Sequence, residues 1–503
     1  MAINLGGLED ISMTFFIPLA GVLAVLAFNA HFSGKQPKNR PPLVSYIVPW
    51  IGSAVSMGKD PDAFFKQARE KYGSIFAVQA AGTRQYFLTS AADIASVYKN
   101  SKSFVFVPIR LEFCAEVFGT SHAAVYGGST ERIFELHHKV LAQNNVGMFT
   151  QALARHGMKI IASLKNNIGE KDSIHTTLEA FVHPNVFEVQ SAALFGPSFP
   201  AMSLYHTFLD FDKIWFPLMV AKLPGFLLKK GIAARDKITS TFHDHLDDTT
   251  EEYQAAEYSK VHTYPMTEAN PPWSQRDTAS NFTGSFWAAQ SNMTWAFYWL
   301  LALPLHEPTG LDPLVEELNE ARAHWLRTNP SSNLLGSVDE FHQFIAAANL
   351  PLLEAHLSET LRTTSSSFSI RKVVGDRAVL GGYGFQEGDT LVCNTRAVHQ
   401  DESVYEDPSA FRPERFLQSE GTEGVTQVRK PLMAFGGGVS QCEGRHFAMR
   451  GAKILAALFL FHFDVRLDPS KPSKIEFDMS RIGLGVLHPK TPSHVIVKRR
   501  SWA

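Results

Sequence analysis

The sequence predicts a mainly α-helical protein with a small β region, preceded by one transmembrane helix. Helical hydrophobic spacing dominates from about residue 91 to residue 365. Short strand patterns occur on either side of this stretch, and an uncharged run lies near the N-terminus. Because no internal repeat or second linker divides the 503 residues, we expect a single large body after the membrane segment.

The first predicted element is the uncharged segment ISMTFFIPLAGVLAVLAF, residues 11–28. A run of this length is just sufficient to cross a bilayer as a helix. Two acidic residues precede it and basic residues follow it, so the positive-inside rule predicts a membrane anchor over residues 1–34 with the rest of the chain in the cytosol. The acidic start disfavours the alternative, a cleaved signal peptide. Residues 35–50 are rich in proline and predict a stiff hinge.

The next elements follow from local spacing and turn residues. Residues 60–73 predict a helix with an aspartate cap and a glycine stop. Residues 74–90 predict a β-hairpin, and strands are expected again at residues 369–374 and within the last thirty residues. Residues 262–277, HTYPMTEANPPWSQRD, predict an exposed loop.

Charge and cysteine content exclude several classes of protein. The net charge is −2, and nothing in it indicates a nucleic-acid partner. The cysteines are Cys114, Cys393 and Cys442, and so sparse and odd a number argues against a disulfide framework. We expect Cys114 and Cys393 to be small core residues.

Cys442 has a different setting, within the glycine-rich segment FGGGVSQCEGRHFA, residues 435–448, which leads into a helical pattern. A thiolate can act as a nucleophile, a redox group or a metal ligand. A nucleophile needs a base, and none has a recognisable context here. Zinc and iron–sulfur sites need further ligands, and the chain contains no C-x-x-C pair. A single thiolate can still ligate haem iron from one side, with glycines allowing close approach of the backbone and amides of the turn stabilising the charge.

This segment resembles the haem-binding loop of the cytochrome P450 family, F-x-x-G-x-x-x-C-x-G. Phe435, Gly438, Cys442 and Gly444 fall in register with it. The resemblance implies that Cys442 is the metal ligand, supplying the axial thiolate to haem b, and that the other three residues shape the cofactor-binding loop.

Two further motifs extend the resemblance. Glu359 and Arg362, in SETLR, match the family's E-x-x-R, and Arg415, in FRPERF, matches the arginine that completes its network. An isolated pair of this kind is usually a solvated surface pair. The resemblance instead implies a structural network supporting the haem site. It also implies the cytochrome P450 fold, with one catalytic domain over residues 51–503.

The haem propionates need cationic partners. Arg371 matches a position that often serves, whereas Ser440 replaces the arginine or histidine that family members often carry two residues before the cysteine. The segment ERIFELHHKVLAQNN lacks the common W-x-x-x-R. Candidates to replace that arginine are Lys139, Arg132 and His138.

The oxygen-activating helix of the family usually reads (A/G)-G-x-(D/E)-T, and its counterpart here is residues 286–304. Alignment places Asn292 at the acid and Met293 at the threonine. Thr294 lies one position later, about 100° around the helix. We expect Asn292, together with Thr294 and a water, to take over the catalytic proton relay. This helix resembles that of the branch containing cholesterol 7α-hydroxylase, sterol 12α-hydroxylase and prostacyclin synthase.

The substrate pocket should be apolar, as ligand sites among helices usually are. Its expected walls are residues 103–119, residues 200–220, Trp287, Ala288 and Gln290.

The resemblance implies a monooxygenase that oxidises a lipophilic molecule, such as a terpenoid, a steroid or another secondary metabolite. Electrons would come from NADPH through a separate cytochrome P450 reductase, because this chain has no apparent flavin or nicotinamide motif. The expected location is the endoplasmic reticulum membrane. Two alternatives remain: a haem–thiolate isomerase or dehydratase that needs no reductase, and a haem-binding sensor or carrier without turnover.

Overall fold

The computed structural model describes residues 39–46, 48, 51–169, 173–246, 264–375, 377–417 and 431–500. The chain divides into two compact units. The first extends to Phe106 and includes Phe368–Val398, and the second contains Val107–Ser367 and the chain from His399 onward. The predicted membrane anchor, residues 1–34, lies outside the described residues. Within the described ranges, no helix is both long enough and apolar enough to cross a membrane.

Helices make up most of the described chain, as predicted. In chain order they are α1 (Ala54–Lys59), α2 (Pro61–Tyr72), α3 (Ala91–Lys99), α4 (Val107–Glu112), α5 (His122–Tyr126), α6 (Thr130–Val140), α7 (Gly147–Ile168), α8 (Leu178–Phe195), α9 (Ala201–Asp210), α10 (Phe216–Val220), α11 (Lys229–His245), α12 (Gln275–Leu305), α13 (Asp312–Thr328), α14 (Val338–Ala347), α15 (Pro351–Thr364), α16 (Thr395–His399) and α17 (Arg445–His462). A π-helical turn at Phe113–Val117 continues α4, and another at Phe211–Trp215 joins α9 to α10.

The strands are short and form a minor part of the structure. They are β1 (Ile75–Ala80), β2 (Thr83–Leu88), β3 (Phe104–Val105), β4 (Ile174–Thr177), β5 (Phe368–Val373), β6 (Ala378–Leu380), β7 (Tyr383–Phe385), β8 (Thr390–Asn394), β9 (Phe463–Leu467) and β10 (His494–Arg499). The first unit holds a five-stranded sheet in the order β1-β2-β8-β5-β3, in which β2 and β8 are parallel. The second unit holds the antiparallel sheet β4-β10-β9.

The predicted hairpin and the helix before it are confirmed. Helix α2 begins after Asp60, whose side chain accepts a hydrogen bond from Ala63 N at 3.0 Å, and it ends at Gly73, whose φ is +88°. Strands β1 and β2 pair from Ile75↔Leu88 to Ala80↔Thr83. Ala81 and Gly82 between them both have positive φ, as the tightest hairpin turns require.

The last part of the predicted hinge packs against this sheet. Leu43 forms a parallel bridge to Ala77 on β1, and Val44 N donates to Ala77 O at 2.9 Å. Arg40 forms an ion pair with Asp389 at 2.7 Å. Residues 40–44 of the predicted hinge therefore supply sheet and ion-pair contacts.

Helix α12 is the central helix of the second unit. Ser274 caps it by accepting from Asp277 N at 3.0 Å, and every residue from Met293 to Leu305 is buried. A helix that is buried on all sides belongs in a core.

The prediction of an exposed loop at residues 262–277 is correct in part for the residues that the structure describes: residues 268–274 form a largely exposed loop, and helical residues lie on either side of it. Residues 264–267 form a helical turn, Trp273 is buried, and α12 already begins at Gln275. The prolines prevent a long helix there but do not prevent packing.

Candidate functional site

Cys442 lies in a turn that its glycines make possible. Gly436 and Gly438 have φ of +66° and +70°, which side-chain-bearing residues rarely adopt. Cys442 N donates to Phe435 O at 3.0 Å, and α17 begins three residues after the cysteine. The Cys442 side chain is exposed, whereas Cys393 is buried. The turn therefore presents a thiol at a surface instead of packing it into the core.

The groups around Cys442 have opposing effects on the pKa of its thiol. The pKa of the Cys442 thiol is raised to about 11, first by desolvation in the surrounding protein and second by the charge of Glu443. The N–H groups of Gly444 and Arg445 hydrogen-bond to the sulfur and lower the pKa. A bound metal ion deprotonates a coordinating thiol outright. An accessible sulfur, two aimed amides and left-handed glycines that let the backbone approach a flat ligand together fit a haem–thiolate site.

A buried carboxylate organises the structure beneath this loop. Glu359 Oε2 accepts from Arg362 Nε at 2.7 Å, and Oε1 accepts from Arg362 Nη2 at 2.8 Å. Oε1 also accepts from Arg415 Nε at 3.2 Å and from Arg412 N at 2.8 Å. Glu359 and Arg362 retain no exposed side-chain surface. Glu359 therefore contacts both of the arginines that were predicted to form a network with it.

The two arginines connect this network to the segment before the cysteine loop. Arg362 donates to His399 O at 2.8 Å, and Arg415 donates to Glu406 O at 2.6 Å. In turn, His399 Nε2 accepts from Met433 N at 3.0 Å, and Tyr405 donates to Pro431 O at 3.0 Å. The start of the cysteine loop is thus held by groups that the network itself fixes.

The predicted propionate partners differ in their environments. Arg371, in the first unit, is buried, donates to Ile370 O at 2.8 Å and lies over the Tyr98 ring. Burial lowers the pKa of Arg371, as expected for a cation that would gain from an anionic ligand. Lys139 and His138 are exposed on α6, and Arg132 pairs with the exposed Glu135 at 2.8 Å.

Sequence reasoning missed a second group of charges beside the cysteine. Arg110 Nη1 donates to Glu443 Oε1 at 2.6 Å and its guanidinium covers the Phe134 ring. Burial lowers the pKa of His137, the buried histidine of α6, to about 4. The charge of Glu443 raises this pKa, and the charge of Arg110 lowers it. The only sequence signal was the position of Glu443, directly after Cys442.

Asn292 lies on an open face of α12. Ala288, one turn earlier, is exposed although it stands in the middle of a core helix. Asn292 Nδ2 donates to Ala288 O at 3.1 Å, and Oδ1 accepts from Val486 N at 3.1 Å. A Cβ atom on Gly485, whose φ is +137°, would lie 2.3 Å from Asn292 Oδ1. Gly485 is therefore required for this close approach.

Thr294, the other side chain predicted for the proton relay, lies in the core of α12. Its hydroxyl is fully buried and donates to Gln290 Oε1 at 3.2 Å. Gln290, predicted as a pocket wall, is buried as well and donates to Phe187 O on α8. Met293 packs against Gly451 of α17. The 100° step per residue therefore directs residues 293 and 294 away from the face that carries Asn292.

A buried polar cluster near Trp287 was also missed. Asp212, in the π-helical turn before α10, accepts from Trp287 Nε1 at 2.8 Å and from Arg481 Nη2 at 3.0 Å. His488 Nε2 lies 3.4 Å from the other carboxylate oxygen. Burial raises the pKa of Asp212, and the charge of Arg481 counteracts it. The cluster joins α12, the turn before α10 and the loop around Val486, which pairs with Asn292.

Comparisons with known proteins agree with this geometry. A family model described as Cytochrome P450 matches residues 41–496. Cholesterol 7-alpha-monooxygenase of Cricetulus griseus is 25% identical, over 90% of this chain and 92% of the relative. Prostacyclin synthase of Rattus norvegicus is 24% identical, over 94% and 97%. The solved structure of retinoic acid-bound cyanobacterial CYP120A1 superposes with a TM-score of 0.67 at 18% identity, covering 92% of this chain and 99% of that chain. The last similarity bears on the fold alone.

Proposed function

This chain belongs to the cytochrome P450 family, and we propose that it is a haem–thiolate monooxygenase that oxidises a lipophilic terpenoid, steroid or related secondary metabolite. The chain is an oxidoreductase, because it belongs to this family and its relatives include enzymes named as monooxygenases. The observation that carries the proposal is the exposed Cys442 thiol, which receives two backbone N–H groups in a loop supported by the Glu359 network.

Cys442 would hold haem b as its axial ligand. Phe435, Gly438 and Gly444 shape the loop, and Arg371 would neutralise a propionate. When bound, the haem supplies dioxygen activation, which the electron-rich thiolate promotes. Lys139, which is exposed on α6, is the other candidate propionate partner.

Asn292 would orient a water molecule on the open face of α12. Its amide hydrogens have partners in Ala288 O and, at 3.3 Å, Ser291 Oγ. Oδ1 accepts from Val486 N and has a second lone pair that can accept from a water. Asn292 therefore does not supply a proton itself. It would fix the water that does, in place of the acid and threonine that the family usually carries.

The side chains beside Trp287 suit a rigid apolar substrate. Trp287 stacks on Phe216 with centroids 3.8 Å apart, and Phe118 lies 5.9 Å from the same indole. Asp212 accepts from the indole N–H, so the Trp287 ring would be fixed in place as one wall of the proposed pocket. Two relatives are a cholesterol monooxygenase and prostacyclin synthase by name, which favours a sterol-like or other lipid substrate here.

The proposal also includes an electron donor and a location in the cell. NADPH-derived electrons would arrive from a membrane-bound cytochrome P450 reductase. Residues 1–34 would anchor the chain in the endoplasmic reticulum membrane, with the catalytic domain in the cytosol.

A second candidate function is a haem–thiolate isomerase or dehydratase without reductase. The similarity to prostacyclin synthase and Met293 at the usual threonine position favour it. Purified enzyme incubated with candidate lipids, with and without reductase and NADPH, separates the two. Product that requires both supports the monooxygenase. Product from a lipid peroxide without either supports the isomerase, and Cys442→Ala should abolish product in each case.

A further inference from the structure

An ion pair lies directly beside the proposed axial ligand. Glu443 follows Cys442 in the chain and accepts from Arg110 Nη1 at 2.6 Å. Arg110 belongs to α4, and its Cζ lies 3.5 Å from the centroid of the Phe134 ring on α6. Both charged side chains are about three-quarters buried, with 25% and 27% of their surface exposed. The carboxylate is therefore held in one place by a cation that is itself held by an aromatic ring.

The charges around the sulfur oppose one another. Glu443 brings a negative charge, whereas Arg110 and Arg445 bring positive ones, and Arg445 donates to Cys442 O at 3.0 Å. His137 adds no charge near neutral pH, because burial lowers its pKa to about 4. Glu443 also borders a cavity of about 280 Å³ that His138, Arg445 and His446 help to line.

We propose that Glu443 and Arg110 tune the reduction potential of the iron bound by Cys442, with Glu443 lowering the potential and Arg110 offsetting it. This inference rests on the proposed function, because it needs Cys442 to be the axial ligand. A nearby negative charge stabilises ferric over ferrous iron, and a nearby positive charge does the opposite. Charges and hydrogen bonds around the ligand of a metal are established means of adjusting the properties of that metal.

The test compares the haem-loaded full chain in four forms: unchanged, Glu443→Gln, Arg110→Gln and the double variant. Spectroscopic redox titration measures the potential of each. We expect Glu443→Gln to shift the potential upward and Arg110→Gln to shift it downward. Each substitution should change the ferrous-to-ferric ratio at a fixed applied potential about tenfold. This change corresponds to a shift of about 59 mV in the one-electron reduction potential. The double variant should return most of the way to the unchanged protein.

Two control variants separate charge from packing. Arg110→Lys keeps the cation and should hold the potential near that of the unchanged protein. Glu354→Gln removes a partner of Lys453, whose Nζ lies 2.7 Å from Glu354 Oε1, and should leave the potential unchanged. Lys453 is eight residues after Arg445 on α17, about 12 Å along the helix axis.

The result that would overturn the inference is a shift of both single variants in the same direction, or of neither, with the spectrum intact. That outcome would mean that the ion pair between Arg110 and Glu443 has a structural role only. If Arg110→Gln does not bind haem, the Glu443→Gln and Arg110→Lys variants still test the inference. The reduction potential of Glu443→Gln must shift upward, and that of Arg110→Lys must stay near the value of the unchanged protein. The carbon monoxide difference spectrum of the unchanged protein distinguishes a failure of this inference from a failure of the proposed function. Absence of the thiolate signature would remove the proposed function and this inference together.

Discussion

Asn292 and Val486 are joined by a hydrogen bond of 3.1 Å from the Val486 N–H to the Asn292 side-chain oxygen. The bond connects the open face of α12 to the loop that begins at Arg481. The same loop is held at Arg481 and His488 by Asp212. One amide thus contributes both to the proposed proton path and to the position of a neighbouring loop.

Replacing Asn292 by alanine should impair catalysis more than folding. The Val486 N–H would lose its partner, which costs about 1–3 kcal/mol if it stays dry. We expect slower turnover and more peroxide released per NADPH consumed, because the oriented water is lost. Turnover and coupling measured together test this. Thr294→Val is the matched control, since its buried hydroxyl contacts Gln290, and it should leave coupling unchanged. An unaltered turnover and coupling in Asn292→Ala would remove Asn292 from the mechanism.

Replacing Glu359 by glutamine should destabilise the cysteine loop. Arg362 and Arg415 would become uncompensated buried cations, and breaking such a network costs about 3–5 kcal/mol. We expect loss of the haem-bound fraction and lower resistance to urea. Glu354→Gln, an exposed position on the same helix, should cost less than about 1 kcal/mol. Equal effects of the two variants would contradict the structural role assigned to Glu359.

Asp212→Asn tests the cluster beside Trp287. The substitution leaves Arg481 buried beside a neutral amide, so we expect a loss of about 3–5 kcal/mol in the free energy of unfolding. Asp210→Asn, two residues earlier and exposed, provides the control and should be nearly neutral. Urea unfolding followed by tryptophan fluorescence reports both. A neutral Asp212→Asn would show that the cluster does not stabilise the fold.

Stability should fall as the pH falls below about 6.5, the ordinary histidine pKa. Burial lowers the pKa of His183 to about 3 and that of His462 to about 4. The unfolded chain therefore binds protons that the folded chain excludes, and stability is lost from about pH 6.5 down to these folded values. Each histidine contributes about 1.4 kcal/mol per pH unit over that range.

The variant His183→Gln isolates one of these contributions. Urea unfolding between about pH 5 and pH 7.5 should show a slope shallower by about one proton than that of the unchanged chain. An identical slope would mean that His183 does not carry this pH dependence.

The sequence was sufficient for features whose cause is local. Asp60 and Gly73 mark the ends of α2, and the glycines around Cys442 indicate a turn in which the backbone can approach a ligand closely. The E-x-x-R pair was identifiable only through the resemblance, because spacing alone does not distinguish a buried network from a surface pair.

Features that depend on packing between distant segments were not predictable. Trp273 is buried although it follows two prolines, because tertiary contacts decide its exposure. The pairing of Arg110 with Glu443 joins residues 333 positions apart. Periodicity did indicate that Thr294 points elsewhere than Asn292, but only the structure shows that its partner is Gln290.

The most direct test of the central claim is incorporation of labelled oxygen. The protein would be combined with a microsomal reductase, NADPH, candidate steroids and terpenoids and labelled dioxygen, with Cys442→Ala as the control. We expect NADPH-dependent product that carries one labelled oxygen atom and is absent from the control. Product that forms without label and without NADPH would contradict the monooxygenase assignment and establish the isomerase instead.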